Sequence, residues 1–109
     1  MNLTAKKCVP CEGGTKPLDR ARVDELLHEI KGWEPDEPRR TLRKRLRFRD
    51  FAQTMGFVNR MARLAESEGH HPDFSVHYNI LDVSLSTHAI GGLSENDFVL
   101  AAKLDALVP

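Results

Sequence analysis

Five residues in the second half of the chain carry side chains suited to acid–base chemistry: Glu66, His70, His71, His88 and Asp97. Imidazoles titrate at about pH 6.5, so a set of them beside carboxylates can hold one ring as acid and another as base at neutral pH. Neighbouring carboxylates would orient those rings and fix their tautomers. Each residue also has an ordinary use: His70-His71-Pro72 as a polar loop, Asp97 as a helix cap, Glu66 as solvated helix surface. Three histidines and a carboxylate are familiar zinc ligands as well, although the spacing matches no ligand motif such as H-E-x-x-H. Nucleophilic catalysis has less support. No serine sits in a G-x-S-x-G elbow, Gly91-Gly92 lacks the lysine of a phosphate-cradling loop, and both cysteines, Cys8 and Cys11, lie near the N-terminus.

For these side chains to meet, the elements carrying them must fold together. From Phe74 to Thr87 the apolar residues occupy even positions (Phe74, Val76, Tyr78) and then odd ones (Leu81, Val83, Leu85). A parity switch requires a turn or a bulge. With Asn79-Ile80 as a two-residue hairpin turn, Tyr78 faces Leu81, Val76 faces Val83 and Phe74 faces Leu85, and all six share one side. The same register sets His71 opposite His88 and gathers three histidines at one end of the sheet. Glu66 then approaches from the end of a helix that Asp50 can cap. In that helix Phe51, Met55, Val58, Ala62 and Ala65 repeat at helical spacing up to Glu68-Gly69. Asp97 approaches from the first turn of a last helix, where Ser94 and Asp97 resemble a capping box.

The remaining elements follow from the same periodicities. Val23, Leu26, Leu27 and Ile30 mark an amphipathic helix from Asp19, with Gly32 as its stop. Trp33 follows, then a turn at Pro35-Asp36-Glu37-Pro38, and then a half-buried strand over Thr41 to Phe48 in which Lys44 breaks the inward apolar parity. The fold expected is α+β: a single domain with a four-stranded antiparallel sheet covered on one face by helices, in the order α-β-β-α-β-β-α. Residues 1–17 show no hydrophobic period and read as an extended tail with a C-x-x-C pair, preceding a folded domain over 18–109.

Composition bounds the partners. The 109 residues hold 16 Lys+Arg against 16 Asp+Glu, so net charge is zero and nothing in bulk draws the chain to nucleic acid or anionic membrane. The balance is uneven locally: seven of the eleven residues from Arg39 to Arg49 are basic. Strand alternation sends Arg43, Arg45, Arg47 and Arg49 to one side, and that side lacks the interleaved aromatic stacking platform that single-strand binders need. Neither nucleic acid nor membrane is expected as a partner. No apolar run approaches a membrane span or a signal peptide, so a cytoplasmic protein is expected.

The residues that could do chemistry also resemble the signature of the pterin-4a-carbinolamine dehydratase family. It is met here as Glu66-x3-His70-His71-Pro72-x5-Tyr78-x9-His88-x8-Asp97, within Leu85-Ser86-Thr87-His88 and Gly92-Leu93-Ser94. The similarity runs from about Leu18 to the C-terminus, with Trp33 where the family has a tryptophan. The resemblance implies dehydration of a 4a-hydroxytetrahydropterin to the quinonoid dihydropterin, a step that recycles the cofactor of aromatic amino-acid hydroxylases. It implies His70 and His88 as the acid–base pair and His71 as holder of the pterin ring. Glu66, Asp97, Tyr78 and Trp33 would bind or orient. No metal or cofactor is implied. The expected partners are the pterin substrate, an aromatic amino-acid hydroxylase as a metabolic partner, and further copies of the chain in a homodimer or homotetramer. Ala89-Ile90 and Phe74 depart from the animal enzymes, which carry an acidic residue with a cysteine and a tryptophan there. The Cys8 to Gly14 stretch is similar to extensions on bacterial members. The rival reading is a non-catalytic interaction protein that uses the fold as a dimerisation module.

Overall fold

A computed structural model describes residues 3–9 and 16–108. After a short 3-10 helix at Leu3–Ala5, the order is α1 (Arg20–Leu27), β1 (Glu34–Pro35), β2 (Leu42–Arg47), α2 (Phe51–Glu68), β3 (Asp73–His77), β4 (Ile80–Leu85) and α3 (Glu95–Leu107). The strands form one antiparallel sheet in the order β1-β2-β4-β3. This is the α+β arrangement expected from the periodicities.

Strand alternation decides which side of the sheet is covered. Leu42, Leu81, Val83 and Leu85 point inward and are buried, while Arg43, Arg45 and Arg47 point out to solvent. Lys44, the inward exception, crosses the edge of the core and donates to Asp105 Oδ1 (2.7 Å) and to the Lys31 carbonyl (2.8 Å). Trp33 Nε1 donates to the same Asp105 oxygen at 3.0 Å. A charged side chain is tolerated there because its head reaches a carboxylate while its stem lies against apolar surface.

The helices obey their caps. Asp19 accepts the Arg22 N–H and opens α1, which closes at Leu27 instead of running on to Gly32. Ile30 is nonetheless buried in the turns that follow. Asp50 caps α2 by accepting the Gln53 N–H (2.8 Å), and Gly69 ends it at φ +66°. The hydrogen bond from the Gln53 N–H holds the Asp50 carboxyl below the usual carboxylate range. The buried stripe of α2 is Thr54, Phe57, Val58, Met61 and Ala65, rotated from the one expected. Ala62 is exposed, and Phe51 is half exposed, stacked on Tyr78 with ring centroids 6.5 Å apart. With Phe57 and Met61 inward, each removes more apolar area from water than the exposed Ala62 would.

In α3, Asn96 to Ala102 and Leu104 are buried without an exposed stripe. A helix whose central run, Phe98 to Ala102, is apolar all round must be covered on all sides there. The sheet and α2 cover part of it, and Leu3 of the N-terminal segment joins the same core. Residues 3–9, expected to be an extended tail, thus lie against α3 with Leu3 and Cys8 buried. Cys11, the other half of the C-x-x-C pair, lies outside the described residues.

The hairpin differs from expectation by two residues. His77 pairs with Ile80, Val76 with Leu81 and Phe74 with Val83, so Tyr78-Asn79 make the turn, with Tyr78 at φ +56°. The cause is the neighbouring strand. Pairing of β2 with β4 continues to Arg47 and Ile80, and beyond it Asn79 accepts the Phe48 N–H (2.8 Å) and returns an amide bond to the Phe48 carbonyl (3.2 Å). That draws Ile80 into β4. A two-residue slip preserves side-chain parity, so the inward face is unchanged. His71 is therefore not opposite His88: β3 begins only at Asp73, and His88 opens a short 3-10 helix, His88–Ile90, beyond β4. No described helix is long and apolar enough to cross a membrane.

Candidate active site

The three histidines converge even though strand pairing does not bring them together. Three connections deliver them: Gly69 turns the chain out of α2 into His70 and His71. The Thr87–Gly92 bridge closes the loop that carries His88. The N-terminus of α3 supplies Asp97 behind them. A cleft of about 360 Å³ opens between these segments, lined by His70, His71 and His88 with Thr87, Asn96 and Val9. A larger concavity on the solvent side of the sheet, flanked by Arg43, Arg45 and Asp82, has no histidine in its lining. There the Arg45 guanidinium holds the Asp82 carboxyl below the usual range.

Each imidazole has a carboxylate, but the three pairs are unequal. His70 Nε2 lies 2.6 Å from Asp97 Oδ1, with the histidine side chain 11% exposed and the aspartate 0%. His71 Nε2 lies 2.8 Å from Glu66 Oε2, and His88 Nε2 lies 3.4 Å from Asp73 Oδ2; in both pairs all four side chains are more than half exposed. The buried pair is the fixed one. Exposed pairs are screened by water and hold geometry weakly.

Asp97 is also the most heavily engaged of the three carboxylates. Its Oδ2 accepts the Thr87 hydroxyl (2.8 Å) and the Ser94 backbone N–H (3.0 Å), the latter being the reaching-back arm of the capping box. Since Thr87 spends its one proton on Asp97, the 2.8 Å contact between Thr87 and Ser94 hydroxyls has Ser94 as donor. The carboxylate is thus locked by three donors, and an ionised Asp97 accepts Nε2–H from His70. A neutral His70 then carries its lone pair on Nδ1. Among the described residues no hydrogen bond engages that nitrogen.

Behind the cleft, Glu68 joins the two helices. It accepts Lys103 Nζ (2.8 Å) at one oxygen and the Cys8 N–H (2.9 Å) at the other. Burial would raise its carboxyl, yet these bonds outweigh burial and hold it below the usual range. The Cys8 thiol is pushed the other way, to about 12, by burial first and then by the negative charge of Glu68. Such a thiol is a packing group and not a nucleophile. Among the described residues no three His, Cys, Asp or Glu side chains gather in metal-holding geometry.

Of the residues singled out from sequence, the structure brings Glu66, His70, His71, His88 and Asp97 together. Trp33 is buried against Asp105 and Tyr78 sits exposed in the hairpin turn; neither lines the cleft. Four residues were not anticipated: Thr87 as a partner of Asp97, Asp73 as a partner of His88, and Val9 and Asn96 as cleft lining. Only Thr87 carried a local signal, lying beside His88 in the quoted motif.

Known proteins resemble the chain over most of its length. A family described as pterin 4 alpha carbinolamine dehydratase matches residues 16–107. A Halorhodospira halophila protein provisionally named a pterin-4-alpha-carbinolamine dehydratase is 47% identical over 98% of both chains. A Stenotrophomonas maltophilia protein of the same provisional name is 50% identical over 96% of this chain and 90% of its own. Among solved structures, a transcriptional coactivator/pterin dehydratase from Brucella melitensis superposes with a TM-score of 0.81 at 32% identity, covering 86% of this chain and 100% of its own. A pterin dehydratase-like RuBisCO assembly factor of the alpha-carboxysome superposes at 0.61 with 28% identity over 70% of this chain and 88% of its own.

Proposed function

Because the chain belongs to the pterin-4-alpha-carbinolamine dehydratase family, we propose that it converts a 4a-hydroxytetrahydropterin to the quinonoid dihydropterin and water in the histidine cleft. The elimination breaks the C4a–O bond, forms a double bond between C4a and the adjacent ring nitrogen, and removes the proton from that nitrogen. One proton is delivered to the departing hydroxyl and one is taken up by a different ring, so the net proton count is unchanged and exchange with solvent water returns both rings to their starting states before the next turnover. His70 and His88 divide these two transfers. With Nε2–H held by Asp97, the free lone pair of His70 lies on Nδ1, which suits it to be the base, and His88 is then the acid. His71, steadied by Glu66, contacts the pterin ring. Water expelled by the bound ring would strengthen these polar contacts.

The observation that carries this reading is the meeting of three imidazole–carboxylate pairs around one cleft. A protein serving only as an interaction module has no use for them. That rival draws on the structural neighbours named a coactivator and an assembly factor, and it predicts that the histidines are dispensable for whatever the chain does. The deciding assay follows decay of carbinolamine absorbance after a hydroxylase turnover. The chain should accelerate decay over the spontaneous rate, and His88→Ala should lower kcat by about 10²–10⁴-fold with the circular dichroism spectrum unchanged. Near-normal turnover in that variant would remove His88 from the chemistry, and no acceleration by the wild type would favour the interaction module.

A further inference from the structure

Residues 3–9, ahead of Lys16 where the family match begins, are bound to the ends of both helices that carry the site. Toward α2, the Cys8 N–H donates to Glu68, two residues before His70, and Lys7 Nζ donates to the Ser67 carbonyl (2.8 Å). Toward α3, Asn96, immediately before Asp97, grips the backbone of Val9 twice: Oδ1 accepts the Val9 N–H (2.9 Å) and Nδ2 donates to the Val9 carbonyl. Lys6 pairs with Glu95 on the same helix end. Asn96 and Cys8 are both buried, and Leu3 anchors the start of the segment in the core.

The Val9 side chain is not used for anchoring. Val9 is 63% exposed and lines the histidine cleft. A side-chain amide that satisfies both backbone groups of one residue fixes where that residue points, as a strand partner would. We infer that Val9 is a substrate-contacting wall of the active cleft and that Asn96 is the positioning residue that holds it there, so that the two set substrate affinity. This rests on the cleft being where the pterin binds. The isopropyl group offers an apolar surface to the ring or its substituent, while the polar work stays with the histidines.

Three substitutions separate this inference from the reading beneath it. Val9→Trp fills cleft space from an exposed position and leaves the anchoring bonds intact, so the fold is retained. It should raise KM by about tenfold while kcat falls less than threefold. Asn96→Ala should raise KM in the same direction, and Asn96→Asp, which keeps the acceptor for the Val9 N–H, should recover part of the loss. The Kd of 7,8-dihydrobiopterin measured by calorimetry should follow KM in each case. An unchanged KM and Kd in Val9→Trp would overturn the inference. His70→Ala serves as the control. If that variant turns over normally the histidine mechanism is wrong, yet the Kd values still decide whether Val9 meets the ligand.

Discussion

Asp97 has no exposed surface and meets three donors: His70 Nε2–H, the Thr87 hydroxyl and the Ser94 N–H. An asparagine has a single oxygen acceptor, so at least one of these donors would face an NH₂ group. If that donor is His70, the ring must flip to its Nδ1–H tautomer and lose the lone pair proposed as the base. Asp97→Asn is therefore expected to reduce kcat by about 10²–10⁴-fold with a small change in KM. With the amide turned the other way, the Ser94 N–H is the buried donor left unpaired, at a cost of about 1–3 kcal/mol of stability. Steady-state kinetics and urea unfolding read the two effects separately. Loss of stability with full kcat would reduce Asp97 to a helix cap. Thr87→Val keeps the shape, removes one of the three donors, and should show a weaker version of both effects.

The element that matters most is the exit from α2, because Gly69 separates the helix from His70 and His71. Its φ of +66° costs a side-chain-bearing residue torsional energy, and a Cβ placed there would meet nothing within 4 Å. The penalty is thus purely conformational. Gly69→Ala should lower unfolding free energy by about 1–2 kcal/mol in urea titration. Any loss of kcat beyond that would report displacement of His70. A value near zero would mean that the turn relaxes to negative φ without strain. Gly92 is a contrasting case: a Cβ would sit 2.7 Å from Pro17 Cβ, so sterics, not torsion, exclude a side chain beside the Thr87 bridge.

At the scale of the whole molecule, β3 lies at one edge of the sheet with one side unpaired among the described residues. Four of its five residues are exposed, including Phe74, and stacked Phe51 and Tyr78 lie exposed near its end. Unpaired edges are templates for another strand, and the resemblance implies a homodimer or homotetramer. Light scattering is therefore expected to give at least twice the 12.3 kDa chain mass, and Phe74→Lys should shift the population toward monomer. A monomer in the wild type at micromolar concentration would mean that the edge is protected by its charges alone. The exposed arginines of β2 are partly balanced across the sheet, Arg45 pairing with Asp82 at 2.7 Å, within a chain of zero net charge.

Much of this was legible without coordinates because its causes are local. Asp50 and Gly69 bound α2, the alternation from Phe74 to Leu85 demands a hairpin, and Glu66, His70, His71, His88 and Asp97 keep a spacing that few unrelated chains would share. Three things were not local. The hairpin register follows from Asn79 holding Phe48 on another strand, the inward stripe of α2 follows from which side chains the sheet accepts, and the docking of Leu3, Cys8 and Val9 follows from an apolar α3 that needs cover. The continuous run Phe98-Val99-Leu100-Ala101-Ala102 hinted at that need but could not say which segment would meet it. Sequence by itself determined the elements and the chemical inventory, since propensity, capping and parity act within a few residues. Tertiary structure alone decided that His70 is the largely buried ring, held against a fully buried carboxylate, while His71 and His88 stay in water, because burial depends on contacts between residues far apart in the chain.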